Sequence, residues 1–476
     1  MFKPFVHLSR QLIGGNAFFL NKKSRFLLRE AGSVNIVILG AGFAGLCSSI
    51  YLHQFLGKYK NIHITVIDKN SHHLFLPFLH EVATGSVPPD HIKRPIRALL
   101  AGKDINFIRG EVQGIDLKEN FVENCSRCQE CNRVDRCLRR ELAFPEDKIV
   151  PRISKIAFDY LVISLGSSPN FFNIPGADKH SFVADNLKSA ETIKEHIWEC
   201  FEIADHVDDE KIKKELLTFV VVGGGATGVE LAAEIHDLFH QVLSKEFSFA
   251  NFNKYGKIIL IEARNTILPD IDSDLRTYAL AKLEKKEVDI LTNSPVLEVT
   301  AGGIKLSGAN HLPSRTVIWA AGVKANTFVE HLPFKKDSSS RVEVDAHLNV
   351  INHPRIFAIG DNAYSRAENI NDPLPPTAQV AVQQALYAAR NITHKIVEKD
   401  LIPFYYFHFG SSLSLGEKSG IAKFTGFLSL RGFAAWFSWK SLYLKHLMVI
   451  ERLPEALWDW FTDLVFNRRL ARFKVH

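Results

Sequence analysis

One stretch near the amino terminus, residues 34–68, limits the possible folds of this chain more than any other. It holds a mostly β-branched run, a G-x-G-x-x-G turn, a helical segment and a second apolar run ending in Asp68. The glycines Gly40, Gly42 and Gly45 permit a tight turn and bring backbone N–H groups near a pyrophosphate at the helix N-terminus. Asp68 follows Gly45 by 23 residues, close to the spacing of a ribose-binding carboxylate. The pattern predicts a dinucleotide site; the alternative is an unliganded glycine turn.

The same pattern occurs again after residue 217. The apolar run Thr218–Val222 leads into a second fingerprint, whose glycines are Gly223, Gly225 and Gly228. Two such units in one chain predict two dinucleotide sites. The helical segment that follows carries Glu230 and Glu234, four residues apart on one face. Glu230 falls in the first turn, near the expected pyrophosphate, whereas Glu234 is expected on a charged surface.

The acid of the second unit is Glu262, at the end of the run Lys257–Ile261. It lies 34 residues after Gly228, and we assign the excess length to an insertion around residues 247–255. A carboxylate at this position accepts a ribose 2′-OH and repels a 2′-phosphate, which favours NADH over NADPH. Arg264 follows two residues later, and a cation at that position reduces the preference for NADH.

The order of the apolar runs predicts an α/β fold with two Rossmann-like domains, the second inserted into the first. The first domain breaks off near residue 170 and resumes after the segment Ala320–Val323. A later strand ends in Asp361, where a carboxylate points into a ligand crevice. The expected parts are a basic arm (1–33), the first domain (34–170 and 344–403), the inserted domain (171–343) and a C-terminal region (404–476).

Charge and composition narrow the choice of partners. The chain has 58 Lys and Arg against 52 Asp and Glu, a net charge of +6, which is too small to indicate nucleic-acid binding. Residues 1–33 carry six Lys or Arg and one acid. That arm reads either as a surface-lying segment or as an organelle transit peptide. Its longest apolar piece, Ala17–Leu20, is too short for the core of a signal peptide.

Four of the six cysteines lie within thirteen residues, at Cys125, Cys128, Cys131 and Cys137. Thiolates two residues apart can share one ion, and the arginines around them lower their pKa. The spacing therefore predicts a metal site, with tetrahedral zinc as the first reading and an iron–sulfur cluster as the second. Free or transiently paired thiols in a surface loop are the third reading.

Several motifs together resemble one known family. They are GAGFAG at 40–45, HLFLPFLHEVATG at 73–85, SLGSSPNFFNIPG at 164–176, GGGATGVELAAE at 223–234, WAAGV at 319–323, FAIGD at 357–361 and AQVAVQ at 378–383. The chain resembles the type II NADH:quinone oxidoreductases, single-subunit flavoproteins with two dinucleotide-binding domains. The cysteine cluster departs from the common pattern of that family. His80, within the second motif, has no metal-ligand spacing and is expected to be packed or solvated.

The resemblance implies FAD on the first fingerprint and NADH on the second. It implies that Asp68 binds the FAD ribose, Asp361 the ribityl chain and Glu262 the NADH ribose. It places Glu230 near the nicotinamide, and Gln379 and Gln383 at the quinone face of the flavin. The further cofactor-binding positions it implies are Lys69, Val112, Gly166 and Ala378. The implied reaction passes a hydride from NADH to FAD and then two electrons to a membrane quinone, without proton pumping.

The C-terminal region shows no nucleotide signature, but aromatic residues recur in it at helical spacing. Trp436, Trp439, Tyr443 and Leu447 form one such row, and Leu457, Trp460, Phe461 and Leu464 form another. No apolar run approaches the ~20 residues of a spanning helix. The pattern predicts amphipathic helices lying on an anionic bilayer surface, and the alternative is a helical packing or homodimer interface. The resemblance implies a peripheral protein of a bacterial inner membrane, on its cytoplasmic face, or of the mitochondrial inner membrane.

Two other functions compete with this one. A sulfide:quinone oxidoreductase needs a cysteine pair that reaches the flavin from separate segments, yet every cysteine here precedes residue 201. A redox-sensing interaction protein would hold FAD and NADH but turn over slowly, with the cysteine loop as its switch. Turnover with a quinone distinguishes the enzyme from the sensor.

Overall fold

The computed structural model describes residues 24, 27–28, 32–125, 153–308, 311–416, 418–424 and 428–447. The strands are β1(Val34–Leu39), β2(Ile62–Asp68), β3(His72–Leu74), β4(Lys93–Pro95), β5(Asn106–Arg109), β6(Glu111–Asp116), β7(Phe121–Cys125), β8(Ile153–Ala157), β9(Tyr160–Ile163), β10(Ser167–Pro169), β11(Thr218–Val222), β12(Lys257–Ile261), β13(Val288–Leu291), β14(Val296–Thr300), β15(Gly303–Leu306), β16(His311–Pro313), β17(Thr316–Trp319), β18(Val323–Ala325), β19(Val342–Glu343), β20(Asn349–Val350), β21(His353–Ala358), β22(Ala363–Tyr364), β23(Gly410–Ser414), β24(Gly420–Phe424) and β25(Ser429–Arg431).

The α-helices are α1(Phe43–Leu56), α2(Leu79–Ala83), α3(Pro89–Ile92), α4(Ile96–Leu100), α5(Ala177–His180), α6(Leu187–His206), α7(Glu210–Leu216), α8(Ala226–Leu238), α9(Ser244–Glu246), α10(Phe252–Tyr255), α11(Ser273–Lys285), α12(Thr327–Glu330), α13(Ala378–Ile396) and α14(Gly432–Leu447). Short 3-10 turns cover Leu76–Phe78 and Gly360–Asn362, and a π-helical turn covers Phe239–Leu243.

The first sheet has the strand order β20-β21-β9-β1-β2-β5 and is parallel from β21 to β5. Strand β1 is apolar from Ile36 to Leu39, where both its faces are buried. Ile36 and Ile38 pack into the cluster formed with α1 and α13, while Val37 and Leu39 pack towards β6–β8. Two distant chain segments build this sheet, since β21 pairs directly with β9.

The second sheet lies between those segments in the sequence. Its order is β13-β12-β11-β17, with all strands parallel. An antiparallel sheet, β14-β15-β16, packs beside it through Val296, Val299 and Ile304. The predicted α/β dinucleotide-binding architecture is therefore confirmed.

The two crossings between these sheets run side by side. Strand β10 follows the first sheet and β18 follows the second, and they pair in antiparallel fashion. Asn170 ties the crossings together, because its N–H donates to the Gly322 carbonyl at 3.0 Å and its carbonyl accepts from Trp319 Nε1 at 2.8 Å. The paired crossings hold the C-terminal ends of β9 and β17 at a common junction.

The C-terminal segment folds back over the helices α8, α11 and α13. Strands β23, β24 and β25 form an antiparallel sheet, and α14 packs against it. Trp439 is only 1% exposed and meets the Phe78 ring edge-on at 5.0 Å. The packing alternative is therefore correct for Trp439, since a membrane face would leave this ring exposed.

Other aromatic residues of α14 do face outward. Phe433 and Phe437 are 52% and 59% exposed and stack on each other at 6.1 Å. Tyr443 and Leu447 lie within the helix, whereas the second predicted row, residues 457–464, lies outside the described residues. Among the helices that the structure describes, none has the length and apolar content to cross a bilayer.

The predicted metal cluster can be placed only in part. Cys125 ends β7 and stands opposite Ile153, the first residue of β8. Cys128, Cys131 and Cys137 lie outside the described residues. Within the described ranges, no three His, Cys, Asp or Glu side chains converge on a position that could hold a metal ion. The metal site therefore stays a prediction.

Candidate active site

The first glycine turn is built by close backbone contacts. Gly40 has a φ of +93°, and a Cβ there would lie 2.3 Å from the Ser164 carbonyl oxygen. A Cβ on Gly45 would lie 1.9 Å from the Gly40 carbonyl oxygen. Gly42 has open space around it. Two of the glycines therefore close the turn, and the third leaves room for a ligand at the N-terminus of α1.

Asp68 connects this turn to the end of β2 through hydrogen bonds. Its carboxylate accepts the Ala41 N–H at 2.6 Å and the Asn70 N–H at 2.7 Å. Burial raises the pKa of Asp68, and these backbone hydrogen bonds oppose that rise because they stabilise the anion. The sequence-predicted acid therefore lies against the glycine turn.

The second glycine turn repeats this construction. Gly223 has a φ of +114°, and a Cβ on Gly228 would lie 1.8 Å from the Gly223 carbonyl oxygen, while Gly225 has open space. The Glu262 carboxylate accepts the Gly224 N–H at 2.7 Å and the Arg264 N–H at 2.8 Å. Each turn thus joins its neighbouring strand through a carboxylate on a backbone amide.

Asp361 lies at the C-terminal edge of the first sheet, as predicted. It accepts a hydrogen bond from Ser167 Oγ at 2.7 Å, and burial raises its pKa. A cavity of about 230 Å³ opens beside it, with Lys324, Ser339 and Arg341 in its wall. Lys324 pairs with Glu330 at 2.7 Å and Arg341 with Asp337 at 2.8 Å. A polar cavity beside a buried carboxylate suits the polar part of a cofactor.

The remaining predicted cofactor positions surround these groups. Gly166 donates its N–H to Asn362 Oδ1 at 3.2 Å and so lies directly beside Asp361. Lys69 is exposed next to Asp68, and Val112 is 9% exposed on β6. Ala378 begins α13 and is half-buried.

Gln379 and Gln383 hold one C-terminal segment. Gln379 Oε1 accepts the Phe409 N–H at 2.8 Å and the Tyr406 hydroxyl at 2.9 Å. Gln383 donates to the Phe407 carbonyl at 2.8 Å and accepts the Phe407 N–H at 3.0 Å. Both amides therefore fix residues 406–410 beside the N-terminal half of α13, a role that the sequence did not reveal.

Glu230 joins three separate parts of the chain. Glu230 lies in the second turn of α8, not in the first turn as the sequence predicted, because the helix begins at Ala226. Its carboxylate accepts the Ser414 N–H of β23 at 3.1 Å and lies 3.7 Å from His80 Nδ1 of α2. Its side chain is 12% exposed. Burial raises the pKa of Glu230 to about 7; Glu81 and Glu234 contribute to the rise, while His80 and the Ser414 bond oppose it.

Two neighbouring residues differ from expectation. Glu234, expected on a charged surface, is 7% exposed and accepts a hydrogen bond from Ser86 Oγ at 2.8 Å. The surface prediction for Glu234 is therefore wrong, because α8 is covered by other elements on this face. His80 is packed, as one of its two readings expected, at 3% exposure. The apolar residues that surround Glu234 in the sequence were the available signal of its burial.

The raised pKa of Glu230 predicts a stability that falls as the pH rises. Between the ordinary value of 4.5 and about 7, the folded chain binds a proton that the unfolded chain has lost. The associated stabilisation is complete below this window and absent above it, a loss of about 3 kcal/mol. Urea unfolding at about pH 5 and about pH 7.5 measures it. Glu230→Gln should lack this part of the pH dependence, and equal slopes in both proteins would contradict the assignment.

Comparisons with known proteins show which sequences this chain is similar to. The sequence profile described as "Pyridine nucleotide-disulphide oxidoreductase" matches residues 34–385. A Dictyostelium discoideum protein named "Probable NADH dehydrogenase" is 33% identical over 472 residues, covering 98% of this chain and 96% of the relative. A Mycobacterium tuberculosis protein named "Type II NADH:quinone oxidoreductase NdhA" is 30% identical, covering 90% of this chain and 87% of the relative.

A solved structure shares the fold. The NDH2 of Plasmodium falciparum, determined in complex with NADH, superposes with a TM-score of 0.77 at 20% identity. The match covers 92% of this chain and 100% of that one. The profile and both relatives show that the chain belongs to the pyridine nucleotide-disulphide oxidoreductase family and, within it, to the type II NADH:quinone oxidoreductases.

Proposed function

We propose that the chain is a single-subunit NADH:quinone oxidoreductase that carries FAD. The observation that carries the proposal is the repeated construction of the two glycine turns, each closed by a buried or half-buried carboxylate on a backbone N–H. The reaction is inferred from the names of two relatives, one an NADH dehydrogenase and the other an NADH:quinone oxidoreductase.

The residues at the first turn fit FAD. Gly42 leaves open space at the N-terminus of α1, where a pyrophosphate binds, and Asp68 offers a carboxylate to a ribose. Asp361 and the polar side chains of the adjoining cavity suit the ribityl and phosphate groups. Lys69, Val112, Gly166 and Ala378 complete this proposed site. Bound FAD supplies a two-electron carrier between a hydride donor and a quinone.

The residues at the second turn fit NADH. Gly225 has open space at the N-terminus of α8, and Gly223 and Gly228 close the turn. Glu262 is the proposed ribose ligand. Glu230 follows the turn on α8 and contacts Ser414 of β23 and His80 of α2. We therefore place its carboxylate beside the nicotinamide end of NADH. Gln379 and Gln383 keep residues 406–410 in place at the proposed quinone face.

The cysteines disfavour the sulfide:quinone alternative. Cys47 and Cys200 are 0% and 2% exposed. Burial raises the pKa of both thiols, that of Cys200 to about 11, and a thiol held neutral is a poor nucleophile. Among the described cysteines only Cys125 is partly accessible, and sulfide chemistry of this type needs two.

The exposed aromatic residues support a peripheral membrane location. Phe433 and Phe437 of α14 are exposed, and Leu428, just before β25, is 56% exposed. Such side chains insert into the interface of a bilayer, where a lipid-dissolved quinone is available. We propose that this end of the molecule lies on a respiratory membrane. The homodimer and the side of the membrane stay predictions.

Steady-state turnover tests the proposed function. The purified protein, loaded with FAD in detergent, is supplied with NADH and a short-chain ubiquinone analogue, and NADH consumption is followed. We expect quinone-dependent consumption, with NADPH oxidised more slowly and sulfide not oxidised. Sulfide-dependent quinone reduction without NADH oxidation would contradict the proposal.

Replacing Glu262 tests the assignment of the NADH site. Glu262→Gln removes the charge that would bind the ribose hydroxyls and repel a 2′-phosphate. We expect the ratio of kcat/KM for NADH to that for NADPH to fall about tenfold or more, the size of one lost charge-assisted hydrogen bond. Asp289→Asn, on the neighbouring strand β13, is the control and should leave the ratio unchanged. An unchanged ratio in Glu262→Gln would refute this role.

A further inference from the structure

A buried histidine faces Glu230, and the proposed function gives it no role. His80 Nδ1 lies 3.7 Å from Glu230 Oε2, across the junction between α2 and α8. The imidazole is 3% exposed, and its Nε2 is buried with no hydrogen-bond partner among the described residues. Burying a ring nitrogen without a hydrogen-bond partner costs folding free energy, so the position of this imidazole calls for an explanation beyond packing.

The other charged side chains around this junction bond to groups other than Glu230. Lys440 of α14 places its ammonium on both oxygens of Glu81, one of them at 2.7 Å. Glu234 accepts the Ser86 hydroxyl. The remaining bond to Glu230 comes from a neutral backbone N–H, that of Ser414. Glu81 and Glu234 both raise the pKa of Glu230, and His80 is the side chain that lowers it.

The position of the His80 ring is fixed by packing. Its ring lies 6.1 Å from the ring of Trp439, which is itself buried against Phe78 at 5.0 Å. The neighbouring Glu81–Lys440 pair ties the same turn of α2 to α14. The imidazole is therefore packed between α14 and the Glu230 carboxylate.

We propose that His80 is a positioning residue that sets the charge of Glu230. Its Nδ1 faces the Glu230 carboxylate, favours the ionised form of that carboxylate and keeps it aimed across the α2–α8 junction. The inference rests on the proposed function for its catalytic meaning, because Glu230 then stands beside the nicotinamide end of NADH.

The pH profile of turnover tests this proposal. In the wild-type enzyme, one limb of the plot of NADH:quinone turnover rate against pH should reflect the ionisation of Glu230. In His80→Gln, that limb should move to higher pH by about one unit, because the ring that favours the ionised carboxylate is gone. In Glu230→Gln the limb should disappear, and adding His80→Gln to that variant should change nothing further. His236→Gln is the matched control: His236 lies on α8 but contacts Asp237 at 3.1 Å, so the limb should stay in place.

A second readout does not depend on turnover. The pH at which the free energy of unfolding stops falling reports the pKa of Glu230 in the folded protein. In His80→Gln this pH should rise, and in His236→Gln it should not. If the wild-type protein showed no quinone turnover, the proposed function would fail, while the stability comparison would still decide the role of His80. A folded His80→Gln protein whose limb and stability profile both match the wild type overturns the proposal.

Discussion

Gly45→Ala is expected to yield a protein that no longer retains flavin. The new Cβ would lie 1.9 Å from the Gly40 carbonyl oxygen and 2.5 Å from Ser164 Oγ. The first contact is with backbone, so the turn itself must open, at a cost of about 2–3 kcal/mol or more. Opening the turn also moves the N–H groups that would bind the pyrophosphate. Flavin absorbance per protein and the Tm should both fall.

Two glycine variants separate folding from binding. Gly42→Ala adds a Cβ into open space, so the cofactor-free protein should unfold at the wild-type temperature while flavin retention still weakens. Gly32→Ala, also in open space but outside the turn, should change neither property. A Gly45→Ala protein with full flavin content and normal Tm would show that the turn was assigned wrongly.

Lys440→Met is expected to destabilise the protein by about 3–5 kcal/mol. The Lys440 and Glu81 side chains are 9% and 2% exposed. Removing the ammonium leaves the Glu81 carboxylate buried without its cation, and an uncompensated buried charge is strongly destabilising. Lys440 also packs over the Phe78 ring at 4.9 Å. Urea unfolding of the variant should show the loss, and α14 should be the first part to become accessible to protease.

The double variant distinguishes charge from packing. Glu81→Gln combined with Lys440→Met removes both charges and should recover much of the lost stability, since paired replacement of buried ions is often nearly neutral. Lys254→Met breaks an ion pair that is more than half exposed on both sides and should change stability little. If Lys440→Met proved as mild as Lys254→Met, the buried pair would not hold α14 in place.

Local spacing was enough to predict the two dinucleotide units. Glycines that close a turn must fall at fixed positions, so the sequence alone predicted the turn-forming glycines. These are Gly40, Gly45, Gly223 and Gly228. Glu262 was predictable despite its distance from the second turn. The extra length is filled by the π-helical turn, α9 and α10. Of these, only α10 falls within the insertion assigned around residues 247–255, so that insertion begins earlier than predicted.

Contacts between distant segments were not predictable from one sequence. Glu81 and Lys440 are 359 positions apart, and nothing in the local pattern of either indicates the other. Helical spacing placed Trp439 on a face with Trp436 but did not say what covers that face. The role of Gln379 and Gln383 in holding residues 406–410 depends likewise on how the C-terminal segment returns to α13.

Rapid mixing of the flavin-loaded protein with NADH under anaerobic conditions tests the central claim most directly. We predict that visible flavin absorbance is lost on adding NADH and returns on adding a quinone in a second mixing step. Gly228→Ala, whose Cβ would lie 1.8 Å from the Gly223 carbonyl oxygen, should retain flavin but respond weakly to NADH. Flavin absorbance that is unaffected by NADH, or that is lost but not restored by quinone, would contradict the account.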